Sequence, residues 1–482
     1  MSQCPNILVV EDDEEISNHI VKKLQEIDAQ IQITVVTNRD DARTFLGGNK
    51  FFDLLSLDLT IPASSGSSDK KIEYGNEVLH FCNSVARGLP ILILTASSTD
   101  DLVSEFLESS EKTDIWGEGQ KRSTVGHALK RRLDDYDQKI DGIVQAIKDL
   151  RKIEINRTPD NLDIPIQDDR LIRIFARRNS GSRCDISKIS GGLSGARVYR
   201  ISLYNQAGNL IHNVIAKMAD HETVSAENEN YESYINRLRP EITPRRIEAT
   251  VFGAMNIAAV FYGLAASHGT DFFGIVQENL NSIDKTLAQN IQSMTDKWCN
   301  ASTEKSTTIK DVRRLLINDA STKALIEKYD LGWATSFESN PLQAKWCYIH
   351  GDLHGKNILI NREQGKATLI DYGDVKEGPV SIDPITLEFS LFFHPDGYDF
   401  EEKWPNNEQA KKWYDLQEYI KGCPIPGIIK FIREWTRAVE AGKRERSASS
   451  YGYLLRQLKY KDSNKALILA LLEGAKNLYE ET

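Results

Sequence analysis

Three short, mostly apolar runs, each ending on polar residues, constrain the first quarter of this 482-residue chain more than anything else in it. Asn6-Ile7-Leu8-Val9-Val10 runs directly into Glu11-Asp12-Asp13-Glu14-Glu15. Phe52-Asp53-Leu54-Leu55-Ser56-Leu57 leads to Asp58, with Pro62 just beyond, and Leu89-Pro90-Ile91-Leu92-Ile93-Leu94 leads to Thr95-Ala96. Helix-length segments separate the runs, so the order alternates strand and helix, as in an α/β, doubly wound parallel sheet. Such a sheet gathers its strand ends on one edge, where ligands bind, and Glu11, Asp12, Asp58 and Thr95 are expected to meet there. A dense acidic cluster at a strand end repels itself, and a bound cation relieves that repulsion.

Over nearly the whole segment this pattern resembles response-regulator receiver domains. The resemblance implies Asp58 as phosphoacceptor, Glu11 and Asp12 as carboxylates of a Mg site, and Thr95 as the hydroxyl that senses the phosphoryl group. An Asp carboxylate acts as a nucleophile toward phosphorus when Mg neutralises the incoming charge. Two departures stand out. A polar insert, Ala63 to Glu73, lengthens the loop after Asp58. The lysine expected after the fifth strand is missing near Asp114-Ile115-Trp116-Gly117-Glu118, where Gly117 or Glu118 occupies its place and Lys121 is the nearest cation. Without that lysine an acyl phosphate loses a charge-assisted partner, so switching is altered or absent; a receiver-fold module used only for binding is the alternative.

From Leu129 the apolar residues fall at Leu133, Tyr136, Ile140, Ile143, Ile147 and Leu150, with charged and polar residues between them. A 3.5-residue period predicts a long helix with a narrow apolar seam, which either pairs with a second copy or packs on its own domain. Asn156 to Arg170, with Pro159 and Pro165, reads as a linker.

Ile189-Ser190-Gly191-Gly192-Leu193-Ser194-Gly195-Ala196-Arg197-Val198 then reads as strand, glycine-bearing turn, strand. Gly191, Gly192 and Gly195 let backbone amides approach phosphate oxygens, and the small Ser194 preserves that access. Asn213-Val214-Ile215-Ala216-Lys217 follows as a strand with a lysine near its end, before a Glu-rich helix. The order resembles a kinase N-lobe, which implies Lys217 on the nucleotide phosphates and a helix glutamate holding it. Glu222, Glu227, Glu229 and Glu232 compete for that place. Glu227 precedes Tyr231 by four on the apolar face that Tyr231, Tyr234 and Leu238 mark, and is the choice. Gly274 to Leu280, including Glu278, resembles the hinge strand between kinase lobes, where backbone groups hold adenine.

His350-Gly351-Asp352-Leu353-His354-Gly355-Lys356-Asn357, read with Ile370-Asp371-Tyr372-Gly373-Asp374, supplies a carboxylate, an amide and a second carboxylate. Phosphoryl transfer is mostly positioning plus charge neutralisation, so one Asp near an acceptor hydroxyl and an Asn/Asp pair on a metal suffice. Ile358-Leu359-Ile360 reads as a strand leaving the loop, and Asn361 to Lys366 as a polar turn into strand Ala367 to Ile370, with Asp371 at its end. These residues resemble the catalytic and metal-binding loops of the aminoglycoside phosphotransferase and choline kinase branch of kinase-like folds. The resemblance implies Asp352 as catalytic base or acceptor-orienting carboxylate and Asn357 and Asp371 as Mg ligands. Gly355-Lys356 stands where that family often has Pro-Gly, and Tyr372 where Phe is usual; neither removes a functional group. Asp383, before a predicted helix, reads as its cap.

The expected architecture is therefore a receiver over 1–125, a helical connector and linker over 126–180, and a bilobal α+β kinase-like domain with its N-lobe at 181–278 and C-lobe at 279–482. The expected reaction is transfer of the ATP gamma-phosphoryl group to a hydroxyl acceptor, a small molecule or a protein, with ATP and Mg as cofactors and receiver phosphorylation as regulator. The alternatives are a protein kinase and an inactive nucleotide-binding scaffold in a phosphorelay. Partners are an upstream histidine kinase or phosphodonor and, through the connector seam, a second copy. A net charge of -10 leaves no basic field for nucleic acid. No run reaches the ~18 apolar residues of a membrane span. Six dispersed cysteines and no signal-type start point to a cytoplasmic protein with reduced thiols.

Overall fold

The computed structural model describes residues 4–96, 110–189, 196–263, 269–278, 282–400 and 404–481. The chain divides into two compact units, Met1–Asn228 with Arg246–Leu264, and Glu229–Arg245 with Ala265–Thr482.

In the first unit, strands Asn6–Val10, Gln32–Val36, Leu54–Asp58, Ile91–Thr95 and Val125–Leu129 form one parallel sheet. Their order, second-first-third-fourth-fifth, is that of the flavodoxin-like doubly wound sheet. The three apolar runs are its central strands, and every residue of each is buried. Both faces of a parallel sheet are covered, which is why these strands show no polar alternation.

The fifth strand corrects the sequence reading. It is Val125–Leu129, pairing Ile91 with Val125 through Thr95 with Leu129, so the residue after it is Lys130. The lysine sought near Gly117 is present thirteen positions later. The following helix, Leu133–Leu150, also belongs to this sheet. Tyr136, Ile140 and Val144 are fully buried in one cluster with Ile7, Val9, Leu92 and Leu94. The seam read as able to pair with a second copy is filled from within the chain, and the expected boundary at 125 falls at the start of the last strand.

The remainder of this unit is a six-stranded sheet in the order Glu154–Thr158, Arg183–Ile189, Arg197–Tyr204, Leu210–Asp220, Ile257–Gly263, Arg245–Thr250. The stretch 156–170 is not a linker, since it supplies most of the edge strand and the start of helix Ile166–Arg178. Its polar residues mislead because two of them are buried and paired. Arg170 Nη2 lies 2.6 Å from Asp53 Oδ1, with both side chains almost wholly enclosed. Asp168 accepts from Arg197 Nε and Nη2 at 2.6 and 2.7 Å and from the Tyr199 hydroxyl at 2.9 Å. Breaking a buried pair by removing one partner leaves an uncompensated charge, so these bonds hold the two sheets to the helix between them. Gly88 N–H donates to the Met255 carbonyl at 2.7 Å and Gly253 N–H to the Gly88 carbonyl at 2.8 Å. A Cβ on Gly88 would meet the Val251 carbonyl oxygen at 2.6 Å, so only glycine permits this approach.

His221, at this junction, gives a pH-dependent prediction. Burial and the nearby Arg87 charge lower its pKa to about 4. The unfolded chain takes up a proton near the ordinary value of about 6.5 while the folded chain resists it, so stability present above 6.5 is lost as pH falls toward 4. We expect the melting temperature of His221→Phe to fall less than that of wild type between pH 6.5 and 4.5; equal slopes would exclude His221 as the cause.

The second unit is mainly helical, with two three-stranded sheets. One joins Thr270–Asp271, Ile358–Asn361 and Lys366–Leu369, and the other Thr303–Thr308, Pro341–Ile349 and Lys376–Pro379. Its interior is tied by Glu388, which accepts from Arg433 Nη2 and Trp413 Nε1, each at 2.8 Å. No described helix is long and apolar enough to cross a membrane.

Candidate functional site

The strand Pro341–Ile349 delivers His350-Gly351-Asp352, and the 3-10 turn Gly355–Asn357 precedes strand Ile358–Asn361. Gly351 has φ 81, and a Cβ there would meet the Asp374 carbonyl oxygen at 2.4 Å. The second letter of the motif is therefore dictated by backbone crowding. Asp371 follows strand Lys366–Leu369 and carries a φ of 64. A side-chain-bearing residue adopts that left-handed conformation only where its surroundings enforce it.

The two segments are knitted together by backbone. Ile370 N–H donates to the Asn357 carbonyl at 3.1 Å, and His350 Nε2 lies 2.9 Å from the Ile370 carbonyl. Asn357 Nδ2 donates to the Asp352 carbonyl at 2.9 Å, which turns its Oδ1 the other way. Asp352, Asn357 and Asp371 are thus brought to one pair of loops, as their spacing implied. Oxygen donors of this kind suit Mg, which is bound by one or two protein groups together with substrate phosphates. Asn357 Oδ1 and the Asp371 carboxylate are the atoms that fit.

Three contacts here lay outside the sequence reading. Asp383 does not cap its helix, Ile382–Phe393. Wholly buried within the first turn, it accepts from His350 N–H at 2.8 Å and Gly351 N–H at 3.0 Å. Burial raises its pKa, opposed by the His350 charge and these two bonds. Arg456, near the end of helix Lys443–Gln457, places Nη2 3.1 Å from Asp352 Oδ1. His354, beside Asp352 and Asn357, is lowered to about 4 by burial and stays neutral at physiological pH. Asp383 and Arg456 lie 31 and 104 positions from Asp352, in helices whose patterns are otherwise ordinary.

In the first unit, Lys217 Nζ lies 2.7 Å from Glu227 Oε2, both side chains nearly fully buried. The Tyr262 hydroxyl donates to Glu227 Oε1 at 2.8 Å. Of the four glutamates, Glu227 is thus the one on the lysine. Gly191, Gly192, Ser194 and Gly195 lie outside the described residues. The hinge expectation is corrected: Phe272–Glu278 is a helix, started by Asp271, whose carboxylate accepts from Gly274 N–H at 3.0 Å. Phe272, Phe273, Ile275 and Val276 are its buried face, a helical spacing that the short apolar run concealed. Glu278 ends that helix and pairs with Arg362.

At the strand ends of the five-stranded parallel sheet, Glu11, Asp12 and Asp58 offer oxygens all within 4.8 Å of one another, the one such group among the described residues. Lys130 Nζ lies 2.8 Å from both Glu11 Oε1 and Asp58 Oδ2, and Lys70, from the polar insert, pairs with Asp12. Burial raises the Glu11 pKa to about 7, with the Asp58 charge adding to it. Asp58 is likewise raised by burial, with Lys130 opposing. Thr95 ends its strand, buried, and its carbonyl accepts from Lys130 N–H at 2.9 Å. Three hard oxygen donors at this separation fit a divalent cation such as Mg.

Residues 304–404 match the model of the phosphotransferase enzyme family, APH. Among solved structures, an aminoglycoside-3'-phosphotransferase of type VIII is 16% identical, with 56% of this chain and 100% of that chain covered and a TM-score of 0.30. A putative fructosamine-3-kinase from Haemophilus somnus 129PT is 11% identical, covering 61% and 90%, TM-score 0.32. The receiver domain of a sensor histidine kinase from Pseudomonas aeruginosa PAO1 is 17% identical, covering 29% and 99%, TM-score 0.21. Comparison with curated proteins finds no match.

Proposed function

From a chain whose residues 304–404 follow a phosphotransferase pattern and whose first sheet has receiver topology, we propose an ATP-dependent phosphotransferase acting on a hydroxyl and governed by its receiver. The observation that carries this reading is the convergence of Asp352, Asn357 and Asp371 on two loops bonded to each other and to Asp383. In this reading Asp352 orients the acceptor hydroxyl and takes up its proton as the acceptor oxygen bonds the gamma phosphorus and the phosphorus–oxygen bond to ADP breaks, ADP being the leaving group. Arg456 holds the Asp352 carboxylate in place. Asn357 and Asp371 would hold the Mg of Mg-ATP, which supplies charge neutralisation on the phosphates. Lys217, fixed by Glu227, is assigned to the nucleotide phosphates.

Radiolabel transfer from ATP into lysate, separated into protein and metabolite fractions, tests the reaction and its acceptor class. Label in metabolites supports a small-molecule kinase, label in protein the protein-kinase alternative, and none in either the scaffold.

The receiver arm of the reading rests on Asp58 with Lys130 and the acidic cluster beside it. The phosphodonor in this reading is an upstream histidine kinase. Labelled acetyl phosphate with Mg is expected to mark wild type and leave Asp58→Asn unmarked. Equal labelling of both would remove Asp58 as phosphoacceptor, and equal turnover of labelled and unlabelled wild type would remove the regulatory link.

A further inference from the structure

The polar insert Ala63 to Glu73, which lengthens the loop after Asp58, folds so as to deliver a cation to the acidic cluster. Ile61–Pro62 and Lys70–Lys71 pair as a two-stranded ribbon with Pro62 opposite Lys70, and helix Ile72–Val85 follows at once. The wholly buried Ile61 anchors the ribbon close beyond Asp58. Successive side chains on a strand point to opposite faces. Lys71 pairs with Asp69 at 2.9 Å and lies over the Tyr74 ring, whereas Lys70 turns to Asp12.

Among the described residues, two ammonium groups therefore sit on three carboxylates. Lys130 takes one oxygen of Glu11 and one of Asp58, and Lys70 takes Asp12. Glu11 Oε2 is left buried with no hydrogen-bond partner, an oxygen that a bound cation would satisfy. The two lysines are not equivalent. Lys130 is mostly enclosed, whereas the Lys70 side chain is half exposed above a nearly enclosed Asp12. A lysine ammonium is a compact, strongly hydrated charge on a flexible stem, so Lys70 leaves Asp12 for water at little cost. With all three carboxylates ionised, the two ammonium groups leave one negative charge. A divalent cation in place of Lys70 leaves none, while the same ion beside Lys70 leaves an excess positive charge at close quarters. We propose that Lys70 is a tethered competitor for the divalent ion of this cluster. It holds Asp12 until the ion displaces it, and so sets the ion concentration at which Asp58 becomes open to phosphorylation. The inference rests on the reading of Glu11, Asp12 and Asp58 as a Mg site.

The test is binding of Mn²⁺, which favours the same oxygen donors as Mg, to the full-length protein without nucleotide, read from loss of the free-ion electron paramagnetic resonance signal. Burial holds the Glu11 pKa at about 7, so the titration is run at pH 8, where the carboxylates are ionised. Lys70→Met is expected to bind Mn²⁺ about two- to fivefold more tightly than wild type, the range an exposed ion pair can supply. Lys70→Arg, which keeps the cation, and Lys71→Met, which makes the same charge change on the other face of the ribbon, should both stay near wild type. Asp12→Asn should lose the site. Equal or weaker binding by Lys70→Met, or an equal gain in Lys71→Met, overturns the proposal. If Asp12→Asn still binds Mn²⁺ as wild type does, the Mg-site reading falls and the proposal with it; if Asp12→Asn loses binding while Lys70→Met matches wild type, that reading stands and only the competitor is removed. Labelling by acetyl phosphate across a Mg series gives the second readout, with Lys70→Met half-labelled at a lower Mg concentration than wild type.

Discussion

Replacing Asp352 with Ala is expected to lower ATP turnover about 10²–10⁴-fold, the range attributed to a positioned acid–base group. The melting temperature should barely move. The side chain is about a quarter exposed and its charged contact is the partly exposed Arg456; an ion pair of this kind contributes on the order of 0–1 kcal/mol. The bond that shapes the loop uses the Asp352 backbone carbonyl, which the substitution keeps. Initial rates of ADP formation with a lysate metabolite pool, measured beside a thermal unfolding curve, check both halves. Unchanged turnover in a folded variant would place ATP consumption elsewhere and remove Asp352 from the chemistry.

Asp383→Ala should act in the opposite way, through structure first. It strips the acceptors from the buried N–H groups of His350 and Gly351. Each buried donor left unsatisfied costs roughly 1–3 kcal/mol, so a loss of about 2–6 kcal/mol is expected in the second unit. Asp383→Asn keeps one acceptor oxygen and sets an NH2 against the other donor, and should fall between Ala and wild type. Turnover is expected to fall with both variants, since Gly351 immediately precedes Asp352. Urea unfolding of the three proteins gives the order; a midpoint for Asp383→Ala equal to wild type would show that His350 and Gly351 find other partners.

The parts of the site that were legible are those built from neighbouring residues. The loop holding Asp352 and Asn357 is short, Asp371 follows the next strand, and the glutamate on Lys217 sits on the adjoining helix, whose apolar face picked out Glu227. The strands of the first sheet were legible because a strand covered on both faces is mostly apolar. Lys130 was misplaced because a short apolar stretch around Ile115-Trp116 looks like a strand. Those two side chains instead pack with Ala146, Ile147, Leu150 and Ile174. A seam at Tyr136, Ile140 and Ile147 is the same string of letters whether a second copy or the chain's own sheet covers it. Polar letters such as Asp53, Asp168 and Arg170 read as surface until their partners are known.

The sequence by itself determined the elements whose cause is local: the apolar strands, the glycine at 351 that backbone crowding demands, and the spacing of Asp352, Asn357 and Asp371. Only the tertiary structure decided which distant groups complete them. Lys130 reaches Asp58, Asp383 ties the loop from behind, and Arg456 holds Asp352. The reason is physical: periodicity and turn chemistry act over a few residues, whereas a charge–charge contact depends on distance in space, which chain separation does not encode.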